Sequence, residues 1–159
     1  MNWKPGDAAP DFSGTDEKGK VHTLSKYSGK KLVIYFYPKD LTPACINQAC
    51  NIQSNLAKLK RAGYTILGVS MDDAARHVKF KEKYQLSFPL IADTERKMID
   101  AFGVWGPKKF MGREFDGILR TTFVIDESGT IERIIEKPVT KAHAEEILHE
   151  KATQPKGRK

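Results

Sequence analysis

Six consecutive residues, Leu32-Val33-Ile34-Tyr35-Phe36-Tyr37, are apolar, β-branched or aromatic, and Pro38 ends the run. A half-exposed strand alternates apolar and polar side chains, so a strand without a polar position has to be covered on both faces. The segment therefore predicts the central strand of a layered sheet. Beyond Pro43 the pattern changes. Ile46, Ala49, Cys50, Ile52, Leu56 and Leu59 fall largely at helical spacings, and Ala62-Gly63 offers a stop, which places a helix from near Cys45 to Ala62.

The strand-helix rhythm then repeats. Thr65 to Ser70 is a second apolar strand and Ala74 to Tyr84 a second helix, with Val78, Phe80 and Tyr84 expected to face inward. A short strand is expected within Ser87 to Asp93, followed by a helix that Thr94 caps and Gly103 stops. Gly106 to Gly117 reads as a glycine-containing basic loop. Thr121 to Ile125 and Ile131 to Ile135 flank Asp126-Glu127-Ser128-Gly129 as an antiparallel hairpin, and Thr140 is expected to cap a last helix through Ala144, Ile147 and Leu148. With a short strand at Val21 to Leu24 after the Asp16-Glu17-Lys18-Gly19 turn, the order predicts a thioredoxin-like α/β sandwich: a mostly parallel central sheet, antiparallel edge strands, and helices on both faces.

Length and charge narrow the function classes. The 159 residues suit one domain, expected over 1–152, with a basic tail at 153–159. The formal charge of +7 comes from 27 Lys and Arg against 20 Asp and Glu, but the basic residues are scattered, which argues against a nucleic-acid partner. The N-terminus lacks the apolar stretch of a secretory signal, and no apolar run approaches the ~18 residues of a membrane span, so the expected setting is cytoplasmic, with no membrane partner.

Two cysteines in such a compartment point to redox chemistry or plain burial. Cys45 stands where a strand gives way to a helix, in the first helical turn, where free N–H groups and the positive end of the helix dipole favour a thiolate; it is the nucleophile candidate and is expected to be partly exposed. Cys50 reads equally well as an inward core residue or as a second redox thiol. On an ideal helix, Cα atoms five residues apart lie roughly 8.6 Å from one another and their side chains point some 140° apart. A disulfide spans at most about 7 Å, so pairing these two requires the first turns to unwind. His22, His77, His143 and His149 are expected on the surface, Trp105 in the core, and four such scattered histidines with two close cysteines do not make a zinc site.

Tyr35-Phe36-Tyr37-Pro38-Lys39-Asp40, Thr42-Pro43-Ala44-Cys45 and Gln48-Ala49-Cys50 together resemble the peroxiredoxin signature, in the class of the bacterioferritin-comigratory or Q-type peroxiredoxins. Pro10-Asp11-Phe12, Gly68-Val69-Ser70, Phe102-Gly103-Val104-Trp105-Gly106 and Arg120-Thr121-Thr122-Phe123-Val124-Ile125-Asp126 extend the resemblance along the chain. It implies a peroxidase that reduces hydrogen peroxide and organic hydroperoxides without a cofactor or metal. Cys45 would be oxidised to a sulfenic acid, Pro38 would shield it, Thr42 would hold thiolate and peroxide through its hydroxyl, and Arg120 would place positive charge at the reacting sulfur. Cys50 would resolve Cys45 as an intramolecular disulfide, recycled by thioredoxin or a similar dithiol, in a monomer, with a dimer as the alternative. Ala44 replaces the usual Gly, Ile46 the common Thr, and Gln53 and Ser54 an Arg and an Asp often found there. Competing readings are a one-cysteine peroxidase with Cys50 structural, a thiol-disulfide oxidoreductase, which normally needs Cys-x-x-Cys, and a non-enzymatic holdase or basic binding protein.

Overall fold

The computed structural model describes residues 2–148; the expected boundary at 152, the tail 153–159 and His149 lie outside them. In chain order the elements are β1 (Ser13–Thr15), β2 (Val21–Thr23), β3 (Lys31–Phe36), α1 (Pro43–Ser54), α2 (Leu56–Arg61), β4 (Tyr64–Ser70), α3 (Ala74–Tyr84), β5 (Leu90–Ala92), α4 (Lys97–Phe102), β6 (Trp105–Phe110), β7 (Arg113–Ile118), β8 (Thr121–Ile125), β9 (Ile131–Glu136) and α5 (His143–Leu148). The main sheet runs β5-β4-β3-β8-β9. As its apolar run requires, β3 is central: Leu32 through Phe36 are buried. The pairings of β3 with β4 and β4 with β5 are parallel, and those of β3 with β8 and β8 with β9 are antiparallel. The antiparallel half thus begins at the central strand, where a mostly parallel sheet with an antiparallel edge was expected.

Alternate residues of β3 feed the two faces. Leu32, Ile34 and Phe36 join α4 residues Met98, Ile99 and Phe102 on one side, and Val33, Tyr35 and Tyr37 join Ala49, Ile52, Phe80 and Ile147 of α1, α3 and α5 on the other. On the first face Phe36, Phe102 and Phe123 form a triangle with ring centroids 5.3, 6.0 and 4.9 Å apart. Burying each such ring stabilises the fold by about 1.5–3 kcal/mol. The same cluster fixes β3 against β8, the strands whose ends carry the candidate site. Gly68 of β4 lies under the Tyr35 ring, where a Cβ would stand 3.0 Å from ring carbons and 2.8 Å from Leu90.

Several local expectations differ from the structure, each for a physical reason. The helix expected through Ala62 breaks at Asn55 (φ −110°, ψ 12°). Beside that break Ser54 Oγ donates to Cys50 O and Asn55 Nδ2 to Asn51 O, side-chain bonds that bend or interrupt a helix. The segment expected as a basic loop at 106–117 is the β6–β7 hairpin, turned by Met111 and Gly112, both at positive φ. Val78 faces solvent, whereas Phe80 is fully buried. Thr94 does not cap α4. Asp93 does that from further back, its carboxylate accepting from the N–H groups of Met98 and Ile99. Thr140 lies inside a short 3-10 turn that leads into α5.

Candidate active site

The chain leaves β3 at Phe36, and Tyr37 N–H still reaches across to Val69 O of β4. The loop beyond it is fixed by Asp40, a fully buried residue that no sequence pattern singled out. Its carboxylate accepts from Tyr37 Oη on one oxygen and from His77 Nδ1 on the other. Its own N–H donates to Asp72 (2.8 Å), and its carbonyl accepts from Arg76 Nη2 (3.1 Å). These bonds tie the loop to α3, and they hold Leu41 in the left-handed region (φ 66°), a conformation that a branched residue adopts only when its surroundings impose it. Thr42 is extended and Pro43 opens α1, which places Cys45 third in the helix. The N–H groups of Ala44 and Cys45 have no intrahelical acceptor and face the start of the helix.

Cys45 is 1% exposed and Cys50 is half-buried, the reverse of the expected order. The reason is the angle between them. Five helical residues turn the side chain some 140°, so once Cys45 points at the sheet Cys50 has to point away. Both thiols are free, and α1 is continuous through them. Burial pushes the Cys50 thiol up from its ordinary value.

Arg120, in the two-residue link between β7 and β8, comes to Cys45 from 75 positions away. Its Nη2 donates to Cys45 Sγ at 3.4 Å and its Nη1 to Gln48 Oε1 at 2.7 Å. Gln48, one turn after Cys45 and fully buried, therefore orients the guanidinium; among the described residues its Nε2 has no hydrogen-bond partner, and neither has the buried Tyr35 hydroxyl. Burial drives that hydroxyl well above its usual range, with Cys45 and Asp40 adding to the effect. Lys108 of β6 donates to Ile118 O at 2.8 Å, and burial, then the Arg120 charge, holds its ammonium below the usual value. A cleft of about 530 Å³ opens on Arg120 between Val104, Lys108, Leu119, Lys137 and Pro138. A larger one, about 670 Å³, lies between Lys31, Lys60 and Tyr64, and neither cleft is lined by a cysteine.

Of the residues expected at the site, Cys45 and Arg120 meet directly, and Pro38 and Thr42 lie on the loop that leads from β3 into α1. The Thr42 hydroxyl donates to Lys39 O at 2.9 Å, so its proton is committed to the loop, where it was expected to grip the sulfur. The histidines depart most from expectation. His22, His77 and His143 are all buried because each ring nitrogen has a partner. His22 pairs with Asp16 and Tyr27, and His143 with Glu146 and Thr122. Both nitrogens of His77 face oxygens, the Asp40 carboxylate and Ile91 O, a setting that favours the protonated ring. Burial alone would lower its pKa, but the Asp40 carboxylate and the Ile91 carbonyl outweigh that and raise it above the ordinary 6.5. Asp40, Asp72 and His77 stand close enough to share an ion. Their lone pairs are taken up by Tyr37, His77, Ser70, Arg76 and the Asp40 N–H, so the cluster serves the loop.

This arrangement of a helix-start cysteine, a remote arginine and a five-stranded mixed sheet agrees with three comparisons. The profile of the AhpC/TSA family matches residues 5–134. Peroxiredoxin Bcp of Escherichia coli K12 is 41% identical over 146 residues, 92% of this chain and 94% of that one. Among solved structures, bacterioferritin comigratory protein of Xanthomonas campestris, studied for alkyl peroxide reduction, superposes with a TM-score of 0.81 at 33% identity, over 87% of this chain and 88% of that one. A cysteine-to-serine variant of Xylella fastidiosa PrxQ gives 0.86 at 30% identity, over 94% and 95%. The chain therefore belongs to the AhpC/TSA family and, within it, to the Bcp or Q-type peroxiredoxins. These are thiol peroxidases, enzymes that act on peroxides.

Proposed function

We propose that Cys45 is the attacking sulfur of this peroxidase and Cys50 the thiol that resolves it. The observation that carries the reading is the Arg120 bond to Cys45 Sγ at 3.4 Å, made by a guanidinium that Gln48 holds in place. In the first step the Cys45 thiolate displaces one oxygen of a hydroperoxide: the O–O bond breaks, an S–O bond forms, and the alkoxide or hydroxide leaves with the electron pair and takes a proton. Cys45 becomes a sulfenic acid and the peroxide becomes an alcohol or water. Positive charge aimed at the reacting sulfur stabilises charge that moves from sulfur to the leaving oxygen, and Arg120 brings it into a site with little water around it. Pro38 and Thr42 shape the loop against the sulfur, and the cleft that opens on Arg120 has apolar walls in Val104, Leu119 and Pro138 that suit the carbon chain of an organic hydroperoxide.

In the second step the Cys50 sulfur attacks the sulfenic sulfur, the S–O bond breaks and water leaves, giving an intramolecular disulfide. An external dithiol such as thioredoxin then reduces it and is itself oxidised. The half-exposure of Cys50 favours that encounter. No helix among the described residues is long and apolar enough to cross a membrane, and we place the enzyme in the cytoplasm, acting as a single-domain monomer over residues 1–152. The test is Cys45→Ser. A serine hydroxyl is barely ionised near neutral pH, so peroxide consumption with thioredoxin and its reductase falls to background. Turnover surviving in that variant would overturn the assignment.

A further inference from the structure

Disulfide formation needs the sulfurs of Cys45 and Cys50 to meet, and on a continuous α1 their Cα atoms stay roughly 8.6 Å apart against a limit of about 7 Å. Whatever fastens α1 just beyond Cys50 therefore sets how readily the helix opens. Asn51, the next residue, is fastened on both sides of its amide. Its Oδ1 accepts from the backbone N–H of Ala144, in the first turn of α5, at 2.6 Å, and its Nδ2 donates to Lys141 O at 3.0 Å and to Glu145 Oε1 at 3.3 Å. Ala144 is fully buried, so its N–H is satisfied only while Asn51 stays in place. Ile52 adds apolar burial to that hold, and the other side-chain hydrogen bonds past Cys50 are weaker in kind. Gln53 bonds Ser87 at an exposed position, while Ser54 and Asn55 bond carbonyls within α1 itself and loosen the helix.

We propose that Asn51 is the latch of α1: its clamp on the turn leading into α5 holds Cys50 away from Cys45, and its release governs the step from sulfenic acid to disulfide. The proposal rests on the assignment of Cys45 and Cys50 given above. Asn51 is a positioning residue, since it touches neither sulfur. A firm latch keeps α1 folded after the first peroxide has reacted. It also lengthens the life of the sulfenic acid, during which a second hydroperoxide can transfer an oxygen to it, giving a sulfinic acid and another alcohol. The latch therefore divides the oxidised enzyme between a recyclable disulfide and an overoxidised form.

The experiment is rapid-quench mass spectrometry of the reduced full chain, of Asn51→Ala and of Asn51→Asp, mixed with hydrogen peroxide. It reads two constants separately: the second-order gain of one oxygen on Cys45, and the first-order loss of water as the disulfide forms. With the clamp gone, Asn51→Ala is expected to form the disulfide about ten- to thirtyfold faster, at an unchanged rate of oxygen gain and with less sulfinic acid at high peroxide. Asn51→Asp keeps the acceptor for Ala144 N–H but loses the donor to Lys141 O and faces the Glu145 carboxylate, so it falls between the two. If Asn51→Ala does not fold, the aspartate variant reads the same constant. Disulfide formation at the parent rate, with oxygen gain also at the parent rate, would overturn the latch. Absence of any oxygen gain on Cys45 in the parent would instead overturn the assignment on which the latch rests.

Discussion

Replacing Arg120 with alanine removes a charged group that bonds Cys45 Sγ, and its effect can be worked out from the geometry. A unit charge 3.4 Å from a thiolate, at an effective dielectric constant of 20, interacts with roughly 5 kcal/mol. Water entering the vacated space restores part of that, and deletion of a single donor at such sites costs about 3–4 kcal/mol in the transition state, a factor of ~10²–10³ in rate. Arg120→Lys should fall between, because an ammonium keeps the charge but lacks the planar fork that holds Gln48 and the sulfur together. Stopped-flow mixing of reduced enzyme with peroxide gives the second-order constant directly. It should be measured well below the unfolding midpoint, since Gln48 Oε1 is left buried without a donor, at about 1–3 kcal/mol of stability. A constant within twofold of the parent in Arg120→Ala would refute the claim that Arg120 acts on the reacting sulfur.

The packing around that centre leads to two more expected outcomes. Because the folded pKa of His77 is raised above 6.5, protonation favours the fold. Its contribution is complete below that value and fades as pH climbs through the raised one, so the urea midpoint of the parent should fall relative to His77→Gln as pH rises above 6.5, and parallel curves would contradict the pairing with Asp40. Gly68→Ala would drive a methyl group into the fully buried Tyr35 and Leu90 side chains, and a loss of ~1–3 kcal/mol is expected in denaturant melts; an unchanged midpoint would mean that this layer is looser than its contacts indicate.

What the sequence discloses and what it conceals divides along physical lines. The central strand was legible because burial on both faces leaves no polar position from Leu32 to Tyr37. The helix Ala74–Tyr84 was legible from its apolar spacing, while its cap, Asp73 accepting from Arg76 N–H, is seen only in the structure. The β6–β7 hairpin was concealed because its strands are largely exposed and carry no apolar alternation, and because its turn uses Met111-Gly112 where an Asn-Gly pair would have announced itself. The buried histidines were concealed for a different reason. Asp40 and Thr122 are brought to His77 and His143 by tertiary contact, while the nearby partners Tyr27 and Glu146 are polar residues that by themselves make the histidines look solvated. Cys45 was legible from its place where a strand gives way to a helix, whereas Arg120 was reached only through the family resemblance, since nothing local links positions 75 apart. For the two cysteines the turn of some 140° forbids both from facing the core, but which of them faces it is decided by how α1 packs on the sheet, which the sequence does not display.

The central claim, that Cys45 and Cys50 exchange one peroxide for one intramolecular disulfide, is tested most directly by treating the reduced chain with one equivalent of hydrogen peroxide and counting its thiols and its mass. The account requires that both thiols disappear, that the intact mass falls by two hydrogens with no oxygen retained, and that the chain still runs as a monomer without reductant. Loss of a single thiol with one oxygen stably gained, or a disulfide-linked dimer, would contradict it.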